Sequence, residues 1–141
     1  MRKRALLLVG ADADAKSKRL ASEDMFIAGY APHSQVFPRA SAIVHHGGIG
    51  TVGQAMRAGK AQLICPMFAD QRDNAERLSR LGIGTRLDHR RFTAERAAAV
   101  IDRLLGDFGV ASRAAAIAAS VTEEDGAGFV ADQIAAMLHA A

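Results

Sequence analysis

The sequence predicts an α/β fold: a mostly parallel β-sheet covered by helices on both faces, in three layers. Strand-length apolar runs alternate with helix-like segments from Arg4 to Leu87. Glycine or proline punctuates most of the junctions. Hydrophobic residues make up 50% of the chain and only 3 residues are proline, so a buried core is available and disorder is disfavoured. Strands alternating with helices imply right-handed crossovers and a parallel sheet.

Arg4–Val9 (RALLLV) reads as a buried strand. The charge order of Met1-Arg-Lys-Arg followed by apolar residues is that of a secretory signal. Its apolar part is too short, however, and it ends in a Gly-Ala-Asp turn. Gly10 to Ser22 is polar, small and without period, which suits a loop or a short helix. Met25–Tyr30 is a second strand, ended at Ala31-Pro32 because proline holds the preceding residue extended. His33–Arg39 suits a short helix, and Ala42–His45 is a third strand. A glycine turn follows, then a helix from about Thr51 to Ala58, capped by Gly59. Ala61–Cys65 is a fourth strand, stopped by Pro66. Asp70–Leu81 carries Ala75, Leu78 and Leu81 on one side and ends at Gly82, as an amphipathic helix does. Ile83–Leu87 is a fifth strand. Thr93 is a good N-cap for a helix through Leu105, and two alanine-rich helices follow near Val110–Val121 and Ala127–Ala140.

The 141 residues suffice for one domain and are short for two. No apolar run approaches the roughly 20 residues of a membrane span. The single cysteine, Cys65, rules out an intrachain disulfide framework and gives no zinc cluster, which suits a reducing cytoplasm. Cys65 itself reads as a small buried hydrophobe. Net charge is a modest +3, although Arg72, Arg77, Arg80, Arg86, Arg90, Arg91 and Arg96 crowd into one stretch. Solvated helix faces explain most such runs. Tyr30 is the only Tyr and there is no Trp, so base stacking on nucleic acid has little to work with.

The run His45-His-Gly-Gly-Ile-Gly-Thr-Val-Gly-Gln-Ala55 carries the functional signal. It joins a strand to a helix, where unpaired N–H groups and the helix dipole favour a phosphate. Gly48-Ile-Gly50-Thr-Val-Gly53 formally matches the dinucleotide pattern G-x-G-x-x-G. Asp70 has roughly the spacing of that pattern's ribose-binding acid but lies past Pro66, beyond the next strand's end. A dinucleotide-dependent oxidoreductase using NAD(P) therefore remains an alternative, as does a non-catalytic nucleotide-binding subunit. No Gly-Lys-Ser/Thr ends the turn, so a P-loop fails. A turn that merely lets a helix pack closely would leave His45 and His46 unexplained. Sheets of this kind bind ligands beyond the C-terminal ends of their strands. The glycine turn, the Cys65-Pro66 exit and the Tyr30-Ala-Pro exit all follow strand ends and should line one edge.

Tyr30-Ala-Pro-His33, the histidine–glycine turn, and Pro66-Met-Phe-Ala-Asp70-Gln71, in that order and spacing, resemble a known signature. It is that of the C-terminal, donor-binding domain of nucleotide-sugar glycosyltransferases of the GT-B fold, whose domain is Rossmann-like. The resemblance runs from about Arg4 to the tail, and its specific part from Gly29 to Gly84. Details such as His-His-Gly-Gly-Ile-Gly-Thr, Gln54 and Asp-Gln-x-Asp-Asn lean toward bacterial rhamnosyltransferases of the rhamnolipid type.

The resemblance implies a role for each residue. Tyr30 would stack on uracil or thymine, and the His33 backbone would meet the base edge. His46 would contact the diphosphate and steady the leaving group's charge, with His45 packed behind it. Gly48, Gly50 and Thr51 would present the phosphate-binding backbone, and Thr51 also its hydroxyl. Many relatives carry glutamate where Gln54 stands and grip both ribose hydroxyls with it. An amide loses that bidentate grip, which hints at a deoxyribose donor such as a dTDP-sugar rather than a UDP-sugar. Asp70 and Gln71 would bind sugar hydroxyls, with Asn74 one turn further along, and Asp70 also suits a helix N-cap. The implied reaction is inverting transfer of a hexosyl group to an acceptor hydroxyl on a lipid or natural product, with no cofactor or metal. Residues 1–141 would form the donor-binding half alone. The acceptor domain and its general base would lie outside this chain, supplied in cis or in trans.

Overall fold

The computed structural model describes residues 3–10, 17 and 19–139. Most of the Gly10–Ser22 segment, together with Met1, Arg2 and the final two alanines, lies outside the described residues. Five strands and six α-helices are described: β1 (Ala5–Leu8), β2 (Met25–Ala28), α1 (His33–Val36), β3 (Ala42–His45), α2 (Ile49–Arg57), β4 (Ala61–Ile64), α3 (Gln71–Arg80), β5 (Gly84–Arg86), α4 (Ala94–Gly106), α5 (Phe108–Glu123) and α6 (Gly126–His139). Short 3-10 turns extend α1 through Arg39 and precede α4 at His89–Arg91.

The pairings between the described strands are all parallel. The strands form two sheets, β1-β2 and β3-β4-β5. β4 is the centre of the second, and all four of its residues are buried. Alternation along a strand sends Ala61 and Leu63 to one face and Gln62 and Ile64 to the other. Ile64 packs with Val52 of α2, Ala75 and Leu78 of α3, Ile83 and Ala114 of α5. Ala61 and Leu63 pack with Ala97 and Leu104 of α4 and Val110 of α5. Helices thus cover both faces of the three-stranded sheet, giving the three layers that the alternating sequence predicts.

The first sheet is covered less. Leu6 and Leu7 are 39% and 38% exposed, although an apolar run of this kind predicts a strand buried on both faces. α6 buries none of its residues. No single described helix is long and apolar enough to cross a membrane.

Helix ends follow local chemistry. Thr93 caps α4, its hydroxyl accepting from the Arg96 N–H at 3.3 Å. Asp107 does the same for α5, with 3.1 Å to the Val110 N–H, and starts that helix two residues earlier than the apolar pattern suggests. Gly59 and Gly82 leave α2 and α3 with φ of +65° and +69°. A side chain at Gly59 would also press on Ala118 of α5, 3.1 Å away.

Candidate functional site

β3 ends on His45, and the chain turns at once under the start of α3. Gly47 makes that turn with φ +96°, and a Cβ there would stand 2.9 Å from Ile64 Cγ2 and 3.1 Å from the Gln71 carbonyl. Both the conformation and the space require glycine. Gly48 has an ordinary φ of −63° and occupies the N-cap position of α2. Its constraint is different: a Cβ would lie 2.6 Å from Nε2 of His46. The imidazole of His46 is therefore folded over the Gly48 backbone at the mouth of the helix, and it is exposed.

α2 starts at Ile49, two residues before the position that the sequence suggests. Its first intrahelical bond runs from the Val52 N–H to the Gly48 carbonyl at 3.0 Å. The N–H groups of Ile49, Gly50 and Thr51 precede that bond and are open to a ligand, with the helix dipole behind them. A Cβ at Gly50 would meet nothing within 4 Å, so the space over this turn is free.

His45 holds the turn from behind. Its Nδ1 accepts the Gly47 N–H at 3.0 Å, which leaves the proton on Nε2 to donate to Oε1 of Gln62 at 2.9 Å. Burial pushes this imidazole below its ordinary value of 6.5. The bond to Gln62 opposes that shift, and the proximity of His46 and His33 adds to it. Gln62 is fully buried and its Nε2 has no hydrogen-bond partner among the described residues. The sequence reading missed Gln62; the available signal was a lone amide inside the apolar run Ala61-Gln-Leu-Ile-Cys65. Cys65 packs beside the second core cluster, and burial pushes its thiol up.

A second loop reaches the turn from β4. Asn74 donates to the Gly47 carbonyl and to Oδ2 of Asp70, each at 2.9 Å. Asp70 occupies the N-cap position of α3 in helical geometry with no side-chain cap bond, so its carboxylate serves Asn74 instead. Ala69 just before it has φ +53°, a left-handed conformation costing a non-glycine residue about 1 kcal/mol. Gln71 is buried, and its Oε1 accepts from Met67 and Phe68 N–H groups at 2.9 and 3.3 Å. That carbonyl shapes the loop, which leaves only the amide nitrogen of Gln71 for a ligand. The ring of His89 lies 3.2 Å from the Pro66 carbonyl and steadies the same loop.

The third loop leaves β2. Tyr30, Pro32, His33 and Gln54 line one cavity of about 280 Å³, with the Tyr30 ring 82% exposed. The ring of His33 stacks on the buried Phe37 at 4.4 Å, and His33 also lines this cavity. Tyr30, His33 and Gln54 therefore meet. His46, Gly48, Gly50 and Thr51 meet at the start of α2, and Asp70 is tied to that turn through Asn74. Asp70 stands on the loop before α3 and not at a strand end, which removes the acid that a dinucleotide fingerprint needs. Among the described residues no three His, Cys, Asp or Glu side chains group as a metal site.

Comparison with known proteins agrees with this arrangement. Residues 7–137 match the family model described as "Erythromycin biosynthesis protein CIII-like, C-terminal domain". The chain is 37% identical over 128 residues to the O-mycaminosyltylonolide 6-deoxyallosyltransferase of Streptomyces fradiae, covering 88% of this chain and 28% of that protein. It is 36% identical over 102 residues to the sterol 3-beta-glucosyltransferase of Eremothecium gossypii, covering 72% of this chain and 8% of that protein. Among solved structures, the glycotransferase of kitacinnamycin superposes with a TM-score of 0.84 at 27% identity, over 93% of this chain and 34% of that one. The chain thus spans well under half the length of each of these relatives.

Proposed function

The chain belongs to the family of Erythromycin biosynthesis protein CIII-like C-terminal domains of glycosyltransferases, and from that premise we propose that it holds the nucleotide-sugar donor. One observation carries this. Three loops from three strand ends converge on one edge, and each supplies the chemistry that one part of a nucleoside diphosphate sugar needs. The exposed Tyr30 ring offers a stacking face for a base beside Gln54. The open N–H groups of α2 and the His46 imidazole address a diphosphate. Asp70, fixed through Asn74 to the same turn, stands where hydroxyls of the sugar would follow.

In this mechanism the donor is held and oriented by all three loops. As the bond to the sugar breaks, negative charge grows on the departing diphosphate. His46 and the α2 amides already point at that charge, so they stabilise the transition state more than the ground state. The sugar, a hexose or deoxyhexose carried by UDP or dTDP, passes with inversion to a hydroxyl of a lipid or natural product. The base that activates this hydroxyl comes from an acceptor domain outside these residues. A cytoplasmic location, with no metal or cofactor in the reaction, completes the proposal.

Calorimetry tests it. The chain should bind UDP or dTDP saturably, and His46→Ala should weaken that binding about tenfold or more, the worth of a hydrogen bond to a charged group. NADH should not compete. Absence of saturable binding by either nucleotide would sink the proposal. Gln54→Glu should shift preference from dTDP toward UDP, because a carboxylate can grip both ribose hydroxyls. An unchanged preference would show that Gln54 does not read the ribose.

A further inference from the structure

The seven arginines crowded between Arg72 and Arg96 are divided by the fold. Arg77 and Arg80 pair with Asp73 and Glu76 one turn back on α3, at 2.6 and 3.2 Å, as a solvated helix face does. Arg86, Arg91 and Arg96 go elsewhere. With Arg103 of α4 they line an open cavity of about 730 Å³ beside the end of β5.

Asp88 is the only carboxylate on the cavity's lining, which leaves three net positive charges. It forms an ion pair with Arg86, the guanidinium 3.5 Å from Oδ2, while its Oδ1 accepts the Arg90 N–H at 3.0 Å, so the excess charge rests on Arg91, Arg96 and Arg103. Arg96, on the lining, donates to the Arg91 carbonyl at 3.2 Å. The guanidinium groups of Arg91 and Arg103 reach no partner among the described residues. Three unneutralised like charges facing one concave space repel one another unless an anion joins them. Leu87 and Val100 contribute an apolar part of the wall.

We propose that this cavity is a second anion site that takes a phosphate-bearing ligand, distinct from the diphosphate position at His46. Arginine forks match phosphate oxygens bidentately, and several converging forks suit a group with more than one negative charge. The apolar wall accommodates whatever carbon the phosphate carries. The sheet order separates the two sites: β5 stands two strands away from β3, about 10 Å at ordinary strand spacing. A soluble phosphate ester and a phospholipid headgroup present the same chemistry to these arginines.

The test uses the whole chain in a His46→Ala background, so that the first site is weakened. Pyrophosphate binding is measured by calorimetry, and cosedimentation is measured with phosphatidylglycerol–phosphatidylcholine vesicles against phosphatidylcholine alone. At least one probe should bind saturably. Arg91→Ala with Arg103→Ala should weaken it about tenfold or more, and Arg91→Lys with Arg103→Lys, which keeps the charge but loses the forks, should recover only part of it. Arg77→Ala with Arg80→Ala removes the same charge from α3 and should change binding less than about twofold. These arginines are exposed, so thermal melting should be unaffected. Binding of pyrophosphate assigns a soluble ligand, and binding of the anionic vesicles alone assigns a headgroup; either supports the site. No binding of either probe overturns it, as does equal loss in the α3 control, which would mean general charge attraction.

Discussion

Gly48→Ala isolates the part played by His46 without removing it. The backbone at Gly48 has φ −63°, which alanine adopts freely, so the substitution adds no backbone strain. Its methyl group would fall 2.6 Å from His46 Nε2, well inside contact distance. The imidazole is the exposed end of a rotatable side chain, so it gives way, and the fold is kept. What is lost is its position over the α2 N-terminus. If His46 supplies one hydrogen bond to a charged diphosphate, displacing it costs about 1.5–3 kcal/mol, a weakening of roughly 10- to 150-fold. Calorimetry with dTDP and UDP reads this, with thermal melting as the control for folding. The double variant gives the sharper test. In a His46→Ala background the methyl group has no ring to displace, so Gly48→Ala should then cost almost nothing. Equal losses in the two backgrounds would refute the reasoning, since the methyl group would then be obstructing the ligand directly.

Three further outcomes follow from the same geometry. Gly47→Ala meets both a positive φ and contacts of 2.9 and 3.1 Å with side chain and backbone, so it should destabilise the domain by about 2–4 kcal/mol in denaturant melts; a loss within experimental error would contradict this. His45 is held neutral in the fold below 6.5, so the unfolded chain binds the proton more tightly. The stability owed to neutral His45 is complete above pH 6.5 and falls as pH drops beneath it. Denaturant midpoints at pH 7.5 and 5.0 should therefore differ more in the unmodified chain than in His45→Gln, and an equal difference would exclude His45 as the source. Asn74→Ala frees Asp70 from the Gly47 turn, so the affinity for a dTDP-hexose should fall about fivefold while that for dTDP changes less; equal losses would place Asp70 away from the sugar.

Much of the site was legible because its chemistry is local. A strand that runs into His-His-Gly-Gly before a helix creates open N–H groups wherever the helix packs, so Gly48, Gly50 and Thr51 could be placed from sequence. The family resemblance assigns Tyr30 to the base and Gln54 to the ribose, and the structure finds both lining one cavity. The supporting residues were harder to see. Gln62 looks like a defect in an apolar strand until β4 is found beside β3, where its carbonyl accepts the hydrogen bond from His45 Nε2–H. Gln71 also carries a structural task, its side-chain carbonyl closing the Met67–Phe68 loop, a short-range bond that periodicity does not reveal.

Pattern alone determined the layer order, the strand and helix alternation and the cap residues Gly59, Gly82 and Thr93. These depend on periodicity and backbone freedom, which each segment carries within itself. The resemblance implies that His46 faces outward with His45 behind it, and the tertiary structure supplies the physical reason. His45 and His46 are adjacent and chemically identical. Burial against Gln62 and Gly47 gives one of them a structural task, and the open turn over Gly48 leaves the other to a ligand. The arginines follow the same logic: one charge-rich stretch becomes solvated helix pairs on α3 and a shared cavity at β5, because only packing determines which guanidinium groups meet.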